Sequence, residues 1–202
     1  MIMRAIRSKR RAMKIPMIIF TVAIAISLVG VFAYTPLDVP ANQQAGQASQ
    51  VQTMLDYSRQ LEQALKLDPE NKDLHVSLGN ILYDIGAYYA GAGDEAKAVR
   101  YFKEATVPYL DALAIDPQLL GVRVDMATAA YYSGLYDLAE EHFLEAIEQD
   151  PGFVNARINY GHFLYYAKGE PEKALEQWEA AAALELEPAV RANVEALINM
   201  AK

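Results

Sequence analysis

The segment ALAIDPQLLGVRVDMATAAYYSGLYDLAEEHFLEAIEQDP (residues 112–151) opens and closes with similar motifs, an Ala-Leu or Ala-Ile pair followed after two residues by Asp-Pro. Thirty-four positions separate its two prolines, Pro117 and Pro151. Between them, apolar residues recur at helical spacing on both sides of Ser133-Gly134. Because proline lacks an amide proton and crowds the preceding turn, each Asp-Pro is expected to end a helix. The segment therefore predicts two antiparallel helices joined by a short turn.

Small side chains stand where these two helices would touch. The first half carries Ala127, and the second carries Ala139 and Ala146 with Phe143 between them. Small residues let two helices approach closely, while an aromatic ring fills the gap between them. A third copy of the motif, ALKLDP, ends at Asp68-Pro69, so the unit recurs along the chain. Recurrence of this kind predicts an all-α solenoid of stacked helical hairpins.

These residues resemble the tetratricopeptide repeat (TPR), whose unit of about 34 residues has a large residue, Leu-Gly and Tyr in its first helix. Its second helix has Ala, an aromatic residue and Ala, followed by Pro. The resemblance covers residues 51–202 and implies about three repeats, with a helix around Tyr57 before them and an amphipathic helix, Pro188–Ala201, after them. The matching residues in repeats two and three are Gly134, Tyr136, Ala139, Phe143, Ala146 and Pro151, then Tyr160, Gly161, Leu164, Ala174, Trp178 and Ala181.

Repeat one is irregular in length. The spacing between Pro69 and Pro117 exceeds the standard unit by fourteen positions. Its first helix carries Leu78-Gly79, and Pro108 is expected to kink or split its second helix. Repeat three has about one extra residue, expected in the turn at residues 168–172. Two registers fit the second helix of repeat one, Ala98-Phe102-Ala105 or Ala105-Tyr109-Ala112.

The N-terminal part of the chain, up to Tyr34, predicts a membrane anchor. Residues 1–14 carry six bases and no acid, and residues 17–34 (MIIFTVAIAISLVGVFAY) carry no charge. As a helix this apolar run is about 27 Å long, close to a hydrocarbon core of roughly 30 Å. The positive-inside bias places residues 1–14 in the cytoplasm and the remainder on the extracytoplasmic side. A cleaved signal peptide is the alternative, although the run is longer than a usual signal h-region.

Residues 35–52 contain two prolines and five glutamines without sustained periodicity, which predicts a flexible tether. The chain thus divides into a basic cytoplasmic segment (1–14), a transmembrane signal-anchor helix (15–34), a linker (35–50) and a solenoid domain (51–202). Beyond residue 14 there are 12 bases against 26 acids, a balance that disfavours binding to nucleic acid. The absence of cysteine excludes disulfides and cysteine-ligated metals.

Catalytic chemistry finds no support in the sequence. His75, His142 and His162 lack the spacing of a zinc motif, and no Gly-rich phosphate-binding loop occurs. His142 is expected on a solvated helix face, His75 in a packing position and Trp178 in the core. We therefore expect no enzyme activity, no metal and no cofactor.

The resemblance also implies a binding surface, since the first helices of successive repeats line a concave face. Tyrosines there would offer a large contact area with polar tips, which suits peptide recognition. No base occupies the ligand-facing positions, so a carboxylate clamp is not expected, and a segment with apolar and basic residues fits better. The predicted groove residues are Asn80, Tyr83, Asp84, Thr128, Tyr131, Tyr132, Asn159, His162, Tyr165 and Tyr166; Val76, Ser77, Val124, Asp125 and Ile158 occupy further ligand-facing positions.

By this resemblance the expected function is a membrane-anchored, extracytoplasmic scaffold or adaptor that captures a partner protein or peptide in the concave groove. The layout is similar to that of anchored TPR subunits of cytochrome c maturation and of TPR proteins in secretion or envelope assembly. The alternative is a structural subunit integrated permanently in a membrane protein complex. The sequence leaves the partner and the oligomeric state open.

Overall fold

A computed structural model describes residues 41–202 of the protein; the predicted basic segment, transmembrane helix and start of the linker lie outside this range. Within it, the chain forms eight α-helices and no strand. None of these helices is both long and apolar enough to cross a membrane. The helices are α1 (Ala41–Leu67), α2 (Lys72–Gly91), α3 (Glu95–Ile115), α4 (Leu120–Tyr132), α5 (Tyr136–Gln149), α6 (Val154–Phe163), α7 (Pro171–Ala182) and α8 (Pro188–Ala201), with a π-helical turn at Leu164–Lys168.

The helices stack in chain order. Each helix packs against the next, which gives three hairpins, α2–α3, α4–α5 and α6–α7, flanked by α1 and α8. Helix α4 also contacts α2 and α6, whereas α3, α5 and α7 make at most marginal contact with one another within residues 41–202. The first helices of the hairpins therefore lie on the inner side of the array. The predicted all-α solenoid of three repeats with flanking helices is confirmed.

The repeat boundaries follow the predicted chemistry. Asp116 and Asp150 end α3 and α5 in an extended conformation, and each backbone amide still donates to the carbonyl oxygen four residues earlier, at 2.9 and 3.1 Å. The hairpin turns contain Gly93 and Gly134 at φ 77° and 81°, a left-handed conformation that glycine adopts without a Cβ clash. Local sequence thus sets the turn and the C-terminal end of each of the first two hairpins.

Alanine and large aromatic rings make up the interface between paired helices. Phe143 and Trp178 are fully buried, each in the position predicted for the aromatic residue of its repeat. Small neighbours allow this because they leave room for a ring at close helix separation. The fully buried alanines include Ala98, Ala105, Ala112, Ala127, Ala130, Ala139, Ala146, Ala174 and Ala181.

Repeat one is longer because each of its helices carries one additional heptad. A glycine of α2 contacts an aromatic ring of α3 at two places in this repeat. Gly86 contacts Phe102, and Gly79 contacts Tyr109, one heptad away along each helix. Both predicted registers of the second helix therefore occur together. Helix α3 is continuous through Pro108, so the expected split does not occur. The buried rings on either side of the proline hold both halves of α3 against α2.

The extra residue of repeat three lies in the π-helical turn Leu164–Lys168, and the prediction that it lies in the turn at 168–172 is wrong. The backbone amides of Gly169 and Glu170 both donate to the Leu164 carbonyl oxygen. A π-helical turn absorbs one residue without ending the helix. Gly161 consequently stays in register against Trp178.

Residues 41–50, predicted as part of the flexible linker, are helical, because α1 begins at Ala41. This segment (ANQQAGQASQ) contains no proline and is rich in alanine and glutamine, which are good helix formers. It lacks an apolar stripe, so a search for hydrophobic periodicity does not detect it.

Candidate functional site

The predicted groove residues lie on the first helices of the three hairpins and in the π-helical turn after α6. Helix α2 carries three of them, α4 carries three and α6 carries two, while Tyr165 and Tyr166 lie in the π-helical turn that follows α6. Asn80, Asp84 and Tyr166 are exposed, and the other seven are half-buried. The structure brings them together in two places, one beside α3 and one beside α7.

The first place is an open pocket between α2, α3 and α4, with a volume of about 320 Å³. Tyr109 of α3 is buried in the pocket wall, and its hydroxyl donates to Asn80 Oδ1 at 2.8 Å. Asp84 of α2 and Asp125 of α4 face solvent at the pocket. The pocket is lined by Asn80, Tyr83, Asp84, Tyr109 and Asp125.

Two of these lining residues were not among the predicted groove residues. Tyr109 was predicted only as a candidate packing residue, and Asp125 only as a further ligand-facing position. The structure shows why Asp84 and Asp125 meet: each lies two residues before the small residue, Gly86 or Ala127, that faces the ring of its own repeat. An alignment of repeat one with repeat two on Gly86, rather than on Gly79, would have shown that Asp84 and Asp125 occupy equivalent positions.

The pocket is electrostatically negative. Asp125 is exposed to solvent, but protein atoms lie close around its carboxyl group. The resulting desolvation raises the pKa of this group to about 6. Desolvation also raises the pKa of Asp84. Burial raises the pKa of the Tyr83 and Tyr109 hydroxyls, and the nearby aspartates raise it further. At neutral pH the pocket therefore holds two carboxylates, and its described lining includes no lysine, arginine or histidine.

One wall of the pocket continues into an aromatic cluster. Tyr83 packs edge to face on Phe102, with ring centroids 5.1 Å apart, and Tyr132 lies 5.0 Å from the same ring. Tyr131 stacks on Tyr132 at 4.7 Å. The Thr128 hydroxyl donates to the Val124 carbonyl oxygen of its own helix. The tyrosine rings thus help to pack the array while they remain half-buried.

The second place surrounds Trp178. His162 and Tyr165 lie 5.6 and 5.7 Å from its rings, and the Tyr166 hydroxyl donates to Met200 Sδ of α8 at 3.4 Å. Burial lowers the pKa of His162 to about 4, so this histidine is neutral at physiological pH. Asn159 is half-buried on α6. These residues form a mainly aromatic cluster on the third hairpin.

The remaining histidines have packing roles. His142, predicted on a solvated face, is instead mostly enclosed between Arg123 and Glu145, and burial lowers its pKa. Arg123 is buried, pairs with Glu145 and donates to the Pro117 carbonyl oxygen at 3.0 Å. The His75 ring donates a hydrogen bond from Nε2 to the Pro69 carbonyl oxygen at 2.8 Å. Among residues 41–202, no three His, Cys, Asp or Glu side chains are grouped to hold a metal ion.

A family model described as a tetratricopeptide repeat matches residues 124–189, from α4 to the start of α8. This match supports the predicted tetratricopeptide repeats in the second and third hairpins. No curated protein matches the sequence.

Several solved structures are similar to this chain at low sequence identity. The complex of the yeast Sti1 TPR2AB domain with pHSP90 is 16% identical, with a TM-score of 0.43, over 79% of this chain and 81% of that one. YrrB, described as a TPR protein with an unusual peptide-binding site, is 20% identical, with a TM-score of 0.40, over 75% and 88%. MamA is 18% identical, with a TM-score of 0.34, over 69% and 93%.

Proposed function

We propose that this protein is a non-catalytic adaptor that captures a polypeptide segment of a partner protein on the inner face of its helical array. The family match suggests a protein–protein interaction scaffold. The observation that carries the proposal is the open pocket between α2, α3 and α4, where the carboxylates of Asp84 and Asp125 have no ion-pair partner within residues 41–202. Polar groups held in a concave surface and left unpaired by the chain are available to a ligand.

The proposal includes the predicted membrane anchor. Residues 15–34 would span the cytoplasmic membrane, with residues 1–14 in the cytoplasm and the repeats on the extracytoplasmic side. The support is the uncharged run at 17–34 and the six bases before it. Confinement at a membrane raises the effective concentration of the adaptor near membrane-bound partners. The proposal extends to a role in assembling membrane or secreted proteins, such as c-type cytochromes.

The absence of cysteine makes the topology directly testable. Single-cysteine variants Ser8→Cys and Gln50→Cys are treated in intact cells with a maleimide that cannot cross the cytoplasmic membrane. We expect labelling of Gln50→Cys alone, with Ser8→Cys labelled only after lysis. Labelling of neither variant in intact cells would contradict the extracytoplasmic placement. Loss of an N-terminal tag from the mature protein would identify a cleaved signal peptide instead of an anchor.

Groove capture is tested by site-specific photo-crosslinking in the native membrane. A photoreactive amino acid replaces Asn159 on the inner face or, as the control, Leu144 on α5, whose side chain is 48% exposed. We expect discrete crosslinked partners from position 159 and few from position 144. Equally strong crosslinks from both positions would contradict selective capture in the groove. They would favour the structural subunit, whose repeats are enclosed on all sides.

A further inference from the structure

The pocket between α2, α3 and α4 has a chemical character that selects its ligand. We propose that it binds the lysine or arginine side chain of the captured polypeptide, an inference that rests on the proposed function. Asp84 and Asp125 supply the charge, and Tyr83 supplies a hydroxyl and an aromatic surface. The occupant is thus a cationic side chain, rather than a carboxylate or an apolar residue.

The charge balance of the pocket favours a cation. Asp84 and Asp125 come from different helices, and neither forms a salt bridge within residues 41–202. No base among the lining residues offsets them, so their partial desolvation is uncompensated. An ammonium or guanidinium group placed between them would restore the lost favourable interactions. An apolar side chain would desolvate the carboxylates further, and a carboxylate ligand would meet repulsion.

Tyr83 is an independent indication of a ligand. Its side chain is mostly enclosed, its ring is held against Phe102, and it lines the pocket close enough to Asp84 and Asp125 for their charges to raise its pKa. Within the described part of the chain its hydroxyl has no hydrogen-bond partner, unlike that of Tyr109, which donates to Asn80. The Tyr83 hydroxyl is accessible from the open pocket, so a ligand can hydrogen-bond to it without displacing a partner within the described residues. A cationic side chain supplies the donor for such a bond.

The shape also suits a long cationic side chain. Lysine and arginine place an apolar stem before the charge, and an aromatic wall accommodates such a stem. Tyr83 and Tyr109, which line the pocket together with the two aspartates, provide this wall. A free metal ion is a poorer occupant, since residues 41–202 contain no group of three metal-ligating acids or histidines.

The test uses a phage-displayed library of random twelve-residue peptides, selected on the full chain held in mild detergent. The variant is Asp84→Asn with Asp125→Asn. The matched control, Glu148→Gln with Glu176→Gln, makes the same change in net charge at exposed positions on α5 and α7 outside the pocket. We expect a lysine or arginine at a fixed position in peptides selected on the wild type and on the control, and no such preference on the variant.

A peptide from the wild-type selection then gives the quantitative test. The aspartate variant should bind it about tenfold more weakly, and replacing the peptide's basic residue by norleucine should cost the wild type the same factor but the variant little. Circular dichroism checks that the variant keeps its helices. Enriched peptides without a basic position, or with one that the variant also selects, overturn the inference but leave groove capture standing. No enrichment on the wild type contradicts the proposed function itself.

Discussion

Gly79 lies under the ring of Tyr109 so closely that a Cβ atom at this position would stand 2.5 Å from the ring. The same relationship joins Gly86 to Phe102 one heptad further along the hairpin. Two contacts of this kind on one helix pair show that repeat one is an elongated hairpin, with its additional length shared between its two helices. The contact also places Tyr109 in the wall of the acidic pocket, beside Asn80.

Gly79→Ala should therefore destabilise the protein. The added methyl group clashes with a ring that is 2% exposed and cannot move away freely. Overpacking of this kind costs about 1–3 kcal/mol, offset by roughly 1 kcal/mol from the better helix propensity of alanine. Chemical denaturation measures the net loss.

Gly91→Ala is the matched control, because nothing lies within 4 Å of a Cβ atom at the end of the same helix. It should be neutral or slightly stabilising. If the ring causes the clash, the cost of Gly79→Ala shrinks in a Tyr109→Ala background. Equal effects of the two alanine substitutions would mean that the close contact is absent in solution.

Arg123→Gln should cost about 2 kcal/mol, because the buried guanidinium pairs with Glu145 and donates to the Pro117 carbonyl oxygen. Its removal leaves polar groups unsatisfied at the base of the second hairpin. Arg100→Gln is the control, because Arg100 is 57% exposed and forms a 3.5 Å pair with Glu104 within one helix. It should cost less than about 1 kcal/mol. Similar melting temperatures for the two variants would contradict the structural role of Arg123.

Asp125→Asn should stabilise the protein at neutral pH. The pKa of about 6 in the folded state exceeds the ordinary value of 3.8, so folding favours the protonated acid. Its contribution to stability is present at low pH and is lost as the pH rises through the folded-state pKa. Asparagine cannot ionise, and the variant should melt about 2 °C higher at pH 7.5 but close to the wild type at pH 4. A gain that is equal at both pH values, or one that Glu148→Gln reproduces, would refute this explanation.

Tyr83→Phe and Tyr109→Phe should differ although both remove one hydroxyl from the same pocket. Tyr109→Phe breaks the 2.8 Å hydrogen bond to Asn80 and should cost about 1 kcal/mol. Tyr83→Phe removes a hydroxyl without a partner within residues 41–202 and should leave the melting temperature unchanged. It should, however, weaken binding of the selected basic peptide about threefold. A loss of stability as large as that of Tyr109→Phe would show that the Tyr83 hydroxyl is already paired.

The local sequence pattern was sufficient to predict the repeat unit. The regular spacing of Asp116-Pro117 and Asp150-Pro151, glycine at the turn and alanines opposite Phe143 predicted the second hairpin with its correct ends. Helix termination and close helix approach are properties of a few neighbouring residues, so they can be seen in a linear sequence. The start of α1 was missed because alanine and glutamine form helix without an apolar stripe.

The candidate site depended on a register that the sequence left open. The spacing of Asp84 and Asp125 is one heptad longer than the regular repeat, so the standard period does not relate them. Only the additional heptad of α3 lies between them, because that of α2 precedes Gly86, and Gly86 therefore holds the position in repeat one that Ala127 holds in repeat two. The spacing of the prolines shows how many additional residues repeat one contains. It does not show how these residues are divided between the two helices.

The sequence by itself determined that helical hairpins form, where they end and that their paired faces are lined with small residues, since each of these depends on local chemistry. Only the tertiary structure decided that both glycines of α2 meet rings on α3, that repeat three absorbs its extra residue in a π-helical turn, and that two aspartates share a pocket. The physical reason is that packing between helices selects one register from several that the local pattern allows equally well.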